Sequence, residues 1–225
     1  MTLIVDAHAD LAWNMLTYGR DYTRSAMETR RLEAGSMAAK ENDDTLLGWP
    51  DYQRGQVAIV YSTLFACPDR HKTSETETQI YTTFDEAYRI YRGQGQRYHQ
   101  LANSHPDKFR IIRSTSELSR HLEEWQTPKE AGHPVGLVFL IEGADCIRKP
   151  DELREWHELG VRLIGLAWVG TRYSGGWKEP GPLTDEGRTL LKAMADFNFT
   201  LDLRHMDEQA SLEALDLYRG PIVGT

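Results

Sequence analysis

Cysteine is nearly absent: the chain of 225 residues has two, Cys67 and Cys146, far apart. That excludes a disulfide-built scaffold and leaves too few thiols for a cysteine metal cluster. Long hydrophobic runs are missing as well. The longest apolar stretch lies around Val135 to Ile141, far short of the roughly 20 residues that a membrane helix needs. There is no excess of basic residues: 26 Lys and Arg stand against 34 Asp and Glu, a net charge of −8. Nucleic acid and anionic membrane are therefore not expected partners. The start, Met1-Thr2-Leu3-Ile4-Val5-Asp6, has no basic cluster, apolar run or small-residue cleavage site of a secretory signal, and a cytoplasmic location is the expectation. No internal repeat, low-complexity tract or Gly-x-Ser-x-Gly nucleophile elbow is visible. Gly93-Gln94-Gly95 lacks the preceding strand that a phosphate loop requires.

What is present is a foldable composition, 40% hydrophobic and 27% charged. Apolar runs at Leu3–Val5, Gln56–Phe65, Val135–Ile141, Val161–Trp168 and Phe199–Leu203 have the character of strands, and Pro221–Thr225 begins a sixth. They are continuous rather than alternating, as in parallel strands covered on both faces. Helical patterns fill the gaps: Glu75 to His105, with Gly93 and Gly95 weakening its middle; a segment behind the capping-box spacing Ser114–Glu117; Asp151 to Leu159; Asp185 to Phe197 behind Thr184; and Met206 to Tyr218. Residues 19–55 are polar, and an insertion loop with a helical piece near Ala34 to Lys40 is expected there. This alternation predicts an α/β fold, a single domain over residues 1–225. The first strand leads into Asp6-Ala7-His8-Ala9-Asp10 without a glycine-rich turn, which favours a TIM-type (β/α) barrel over a doubly wound sheet. A closed barrel of this kind has eight strands. The expectation is therefore a barrel incomplete at its C-terminus, truncated after five to six strands.

The chemistry-bearing residues cluster at predicted strand ends, where a barrel gathers its site. His8 and Asp10 are two apart on an extended segment and face the same side. An imidazole and a carboxylate are suitable ligands for zinc or a similar ion. Glu142 closes the third apolar run and His205 follows the fifth, with Asp202 placed to orient a ligand. Each has a plain structural alternative: a polar loop start, a surface acid, a capping histidine. Their shared placement favours a metal site. His71, His99, His105, His121, His133 and His157 lack paired ligands and are expected at the surface.

Asp6-Ala7-His8-Ala9-Asp10-Leu11, Ile141-Glu142-Gly143, Leu159-Gly160-Val161-Arg162, Gly181-Pro182-Leu183-Thr184-Asp185-Glu186-Gly187 and Leu201-Asp202-Leu203-Arg204-His205-Met206 occur in this order. The ordered set resembles the membrane dipeptidase (renal dipeptidase) family, peptidase family M19, and spans nearly the whole chain. The resemblance implies a metal-dependent barrel of the amidohydrolase kind with two zinc ions: His8 and Asp10 on one, Glu142 shared by both, His205 on the other. It also implies homodimerisation, a dipeptide-like substrate and hydrolysis of its amide bond by a hydroxide bridging the two metals. The family's second histidine on the other zinc, its substrate-carboxylate arginine and its proton-transfer aspartate correspond to positions beyond Thr225, so no general acid or base is assigned. Three departures mark a divergent subgroup. Ala9 stands in the middle of the first motif, Trp168 takes the place of a substrate-contacting histidine, and Arg204 puts a cation beside a ligand. The leading expectation is a zinc-dependent dipeptidase. The alternatives are a catalytically incomplete fragment or relative acting as a binding or structural unit, and a related single-metal barrel enzyme with another reaction.

Overall fold

The computed structural model describes residues 2–225. Strand β1 (Ile4–Ala9) leads into helix α1 (Leu11–Tyr18). Helices α2 (Ala26–Glu33), α3 (Met37–Glu41) and α4 (Trp49–Gly55) follow, then β2 (Val57–Phe65). The short strands β3 (Cys67–Pro68) and β4 (Ile80–Tyr81) pair with each other, ahead of the long helix α5 (Phe84–Ser104). Next come β5 (Phe109–Ile111), α6 (Thr115–Gln126), β6 (Val135–Glu142), α7 (Leu153–Leu159), β7 (Val161–Gly165), α8 (Asp185–Asp196), β8 (Thr200–Asp202), α9 (Glu208–Leu217) and β9 (Ile222–Val223). The main sheet runs β1-β2-β6-β7-β8-β9, parallel throughout. The sequence reading missed β5. It pairs with β6 from Val135 to Leu137, whereas β7 pairs with β6 from Phe139 to Glu142.

Helical crossovers cover the sheet, and β6 is buried at all eight positions. That is why its sequence is continuously apolar. The first strand is less covered. Ile4 and Val5 are 48% and 50% exposed, because β1 pairs only with β2 and forms one edge of the sheet. The sheet is a curled half-barrel. The curl brings the C-terminal ends of its outermost strands together: the His8 Nδ1 atom lies 3.3 Å from the Thr225 hydroxyl. Among the described residues no helix is long and apolar enough to cross a membrane.

The polar segment 19–55 carries three helices rather than one helical piece, and it sends Tyr22 and Tyr52 into the core. Its Trp49 indole donates to the His133 carbonyl at 3.0 Å. Helix α5 starts at Phe84, nine residues later than the pattern from Glu75 indicates. A reciprocal capping box between Thr83 and Glu86 sets that start. Its glycines do not break it. Gly93 faces open space, whereas Gly95 packs on α7, where an added Cβ would stand 2.6 Å from a Leu159 methyl. The surface assignment of the six histidines needs correction. His121 is fully buried, its Nε2–H donating to the Ala58 carbonyl at 2.9 Å, and the other five are partly covered.

Two glycines with opposite surroundings give a test. Gly93→Ala should stabilise the protein by about 0.5–1 kcal/mol through helix propensity alone. Gly187→Ala should destabilise it by about 1–3 kcal/mol, because the new methyl would meet the Tyr173 carbonyl oxygen, a backbone atom, at 2.0 Å. Urea unfolding of both variants checks the contrast, and equal shifts contradict it. His121 gives a second test. Burial pushes its pKa below 6.5, and its Nδ1 has no partner. The unfolded chain therefore takes up the proton first as pH falls. Stability from this group is full above 6.5 and declines below it, by up to about 1.4 kcal/mol per pH unit until the folded-state pKa is reached. His121→Gln should lessen the drop in unfolding free energy between neutral pH and about one unit below 6.5; an unchanged drop counts against it.

Candidate metal centre

The sheet's C-terminal rim collects the four residues singled out in the sequence. His8 stands near the end of β1, and Asp10 follows as the residue before α1, its side chain not used as a helix cap. Glu142 is the last residue of β6, 6% exposed. One ligand atom each from His8, Asp10 and Glu142 lies within 4.8 Å of the other two. His8 Nε2 is 3.2 Å from Glu142 Oε2, and His205 Nε2 is 2.9 Å from Glu142 Oε1. Each carboxylate oxygen thus faces a different imidazole. His205 adopts a left-handed backbone conformation (φ 65°), which costs energy in a non-glycine residue and is kept only where its surroundings hold it.

The surrounding contacts orient the first residues. The Thr63 hydroxyl, from β2, donates to the Asp10 carboxylate. Among the described residues Asp202, the last residue of β8, makes no hydrogen bond to His205. Its Oδ1 accepts from the backbone N–H groups of Arg204 and Thr225, both at 3.1 Å, and its Oδ2 accepts from the Thr225 hydroxyl at 2.7 Å. With its proton committed to Asp202, the Thr225 oxygen is an acceptor for a His8 Nδ1–H. That chain turns Nε2 toward the centre, where a metal would take the place of the proton that it shares with Glu142. Trp168 lies beyond β7 with its ring edge-on to Phe65, centroids 4.9 Å apart, and near Trp177 at 6.4 Å. Phe65 is the cross-strand neighbour of Glu142, so an aromatic wall borders the centre.

Electrostatics separate the two carboxylates. Burial raises the pKa of Glu142, but hydrogen bonds from His205 and His8 outweigh it and hold the group down to about 2. Burial and then the Glu142 charge push Asp10 up to about 6, against the Thr63 hydrogen bond. Burial lowers the pKa of His8, and its hydrogen bond to Glu142 together with the charges of Glu142 and Asp10 more than reverses that, so the net shift is upward. Two acids and two imidazoles converge here under partial burial, and the donor set of His8, Asp10 and Glu142 could hold a cation. One pair has the spacing of two ligands on one ion: His8 Nε2 to Glu142 Oε2 spans 3.2 Å, close to the edge of roughly 3.3 Å in a tetrahedral site, and the group as a whole lies within 4.8 Å. The remaining histidines take no part. His71, for instance, pairs with Glu179 at 2.7 Å.

Over residues 1–225 the chain matches the family described as Membrane dipeptidase (Peptidase family M19). The chain belongs to this family. Among curated proteins it is 24% identical to "Dipeptidase verJ" of Clonostachys rogersoniana over 174 residues, 73% of this chain and 41% of that protein. It is 31% identical to "Uncharacterized protein in PQQ-III 3'region" of Acinetobacter calcoaceticus over 101 residues, 40% of this chain and 32% of that protein. Among solved structures it resembles the M19 metallo peptidase "dipeptidase AC", with a TM-score of 0.74, 18% identity, and coverage of 99% of this chain and 62% of the other. It also resembles a metallo peptidase from Rhodobacter sphaeroides liganded with a phosphinate mimic of the dipeptide L-Ala-D-Ala, with a TM-score of 0.73, 19% identity, and coverage of 99% and 64%. At these identities the structural likeness concerns the fold, a part of the M19 barrel. The chain spans less than two thirds of the length of each of these relatives.

Thr63 and Thr225 escaped the sequence reading. Only the adjacent hydroxyls of Ser62 and Thr63 in a largely apolar strand marked that place, and nothing local marked Thr225. In this M19 chain Thr63→Val should weaken divalent-metal binding by about 10–100-fold, the usual cost of losing a ligand's supporting hydrogen bond. Competition titration with a zinc chelator measures this, and unchanged affinity removes Thr63 from that role.

Proposed function

We propose that this M19 chain is the metal-binding part of a zinc-dependent hydrolase that cleaves dipeptide-like amides. The observation that carries the proposal is the convergence of His8, Asp10 and Glu142 at the rim of the half-barrel. The dipeptide mimic bound to the Rhodobacter relative supports the substrate class. A nitrogen and two carboxylate oxygens form a donor set that suits zinc. The two buried, unpaired cysteines, Cys67 and Cys146, suit a reducing compartment and support a cytoplasmic location.

In this reading His8 Nε2 and the carboxylates of Asp10 and Glu142 hold the ion. Thr63 keeps Asp10 in place, and the Asp202–Thr225 pair keeps the His8 ring turned. A divalent ion at such a site brings the pKa of a water toward neutrality and polarises a carbonyl. Trp168 and Phe65 shield one side from water and present aromatic faces to a substrate side chain. Trp168 stands where the resemblance expects a histidine, so substrate preference in this subgroup follows shape and apolar contact at that wall rather than a hydrogen bond.

Glu142→Gln keeps the shape and removes a charge that both imidazoles and the ion share. Zinc affinity should fall by at least about 100-fold, or about 2.7 kcal/mol, and hydrolysis of a dipeptide panel should fall with it. Elemental analysis and zinc titration of the wild type and variant test this. Absence of zinc uptake by the wild-type protein rejects the proposed function.

A further inference from the structure

The long helix α5 carries a row of polar side chains on its buried face. Tyr91, Gln94 and Tyr98 are spaced i, i+3 and i+7, which puts them on one stripe of the helix, and each is at most 1% exposed. A buried polar group persists where hydrogen bonds satisfy it. All three find backbone partners at the ends of strands that lead into the centre. The Tyr91 hydroxyl donates to the Glu142 carbonyl at 2.7 Å. Gln94 Oε1 accepts from the Phe65 N–H at 2.8 Å, and the Gln94 amide donates to the Phe65 carbonyl, which fixes the cross-strand neighbour of Glu142. The Tyr98 hydroxyl donates to the Thr63 carbonyl at 3.0 Å and accepts from the Ala12 N–H at 3.0 Å.

The bond to Ala12 bears directly on Asp10. Asp10 stands at the N-cap of α1, and Ala12 is the second residue of that helix. Its N–H is one of the first-turn donors that have no acceptor within the helix. An aspartate at the N-cap ordinarily meets such a donor with its own carboxylate. Here Asp10 makes no cap bond. The Tyr98 hydroxyl meets the Ala12 N–H instead, and the Asp10 carboxylate accepts from Thr63 and stands with His8 and Glu142. A hydroxyl has one proton to give and lone pairs that accept, so both Tyr98 bonds form together. One oxygen atom thereby ties the strand that carries Thr63 to the helical turn that follows Asp10. Tyr91 acts in the same way on Glu142, whose carbonyl it fixes while the carboxylate faces both imidazoles.

We propose that Tyr98 and Tyr91 are positioning residues of the metal centre: Tyr98 caps α1 in place of Asp10 and so leaves that carboxylate to the ion, and Tyr91 holds the Glu142 backbone. Both act through the backbone rather than on the ion. The proposal rests on the metal reading of the site given above. Without the Tyr98 hydroxyl the Ala12 N–H is a buried donor lacking its partner, and the side chain at the N-cap position that can meet it is Asp10, at the expense of the centre.

The test compares Tyr98→Phe and Tyr91→Phe with Tyr218→Phe. Tyr218 is a control of the same kind: its buried hydroxyl donates to the Phe199 carbonyl, just before β8 begins and at the end of that strand away from the rim. Each variant removes one oxygen and keeps the ring. Urea unfolding of the metal-free proteins measures stability, and competition with a chelator measures zinc affinity. Cobalt(II) loaded into the same proteins reports ligand geometry through its visible absorption. All three variants should lose stability. Tyr98→Phe and Tyr91→Phe should also lose zinc affinity by about 10–100-fold and change the cobalt spectrum, whereas Tyr218→Phe should keep the wild-type values of both. Should one of the two fail to fold, the other decides. A Tyr98→Phe or Tyr91→Phe protein that folds and keeps wild-type zinc affinity and cobalt spectrum overturns the proposal, as do losses that Tyr218→Phe reproduces; either result leaves the metal reading intact. A wild type that takes up neither zinc nor cobalt overturns the metal reading, and this proposal with it.

Discussion

The Glu142 carboxylate joins the two flanks of the rim. It closes the central strand β6, whose eight positions are all buried, and its oxygens face His8 from one end of the sheet and His205 from beyond β8. Burying a carboxylate is costly unless hydrogen bonds meet it. Here two imidazoles do so, and they hold its pKa down to about 2 despite the burial. Both histidines depend in turn on the curl of the sheet, since a flat arrangement of these strands would carry β1 far from β8. The curl brings His8 against Thr225, and Thr225 against Asp202.

The same geometry divides the work between two acids. Glu142 has two imidazole partners and stays ionised. Asp10 has one hydroxyl partner and faces the Glu142 charge, so burial and repulsion push it up to about 6. A centre in which one carboxylate is firmly anionic and the other is strained by that charge gains most from an added cation.

Away from the rim, loops are secured by ion pairs and aromatic contacts rather than by the sheet. Arg70 and His71 both reach Glu179, linking the segment after β3 to the loop that carries Trp177. Trp168, Phe65 and Trp177 pack edge to face between them. This wall and the metal-competent residues rest on different elements, so the wall can vary without moving Glu142.

The sequence by itself determined the class of fold, every strand of the main sheet except β5, and the candidate residues. A strand covered on both faces must be apolar throughout, as Val135–Ile141 is, and polar groups directly after such runs, at His8, Glu142 and His205, must lie at the rim. It did not show how far Ile4 and Val5 are exposed, because an edge strand and a central strand have the same local composition. It misplaced the start of α5, since amphipathic spacing continues through residues 75–83 and only the Thr83–Glu86 cap ends it. It placed His121 at the surface, because no local signal marks a polar residue whose partner, the Ala58 carbonyl, is 63 positions away. Only the tertiary structure decided that Asp202 serves His8 through Thr225 and that Thr63 supports Asp10. Those contacts are set by strand pairing and by how far the sheet curls, which are long-range properties that no window of sequence contains.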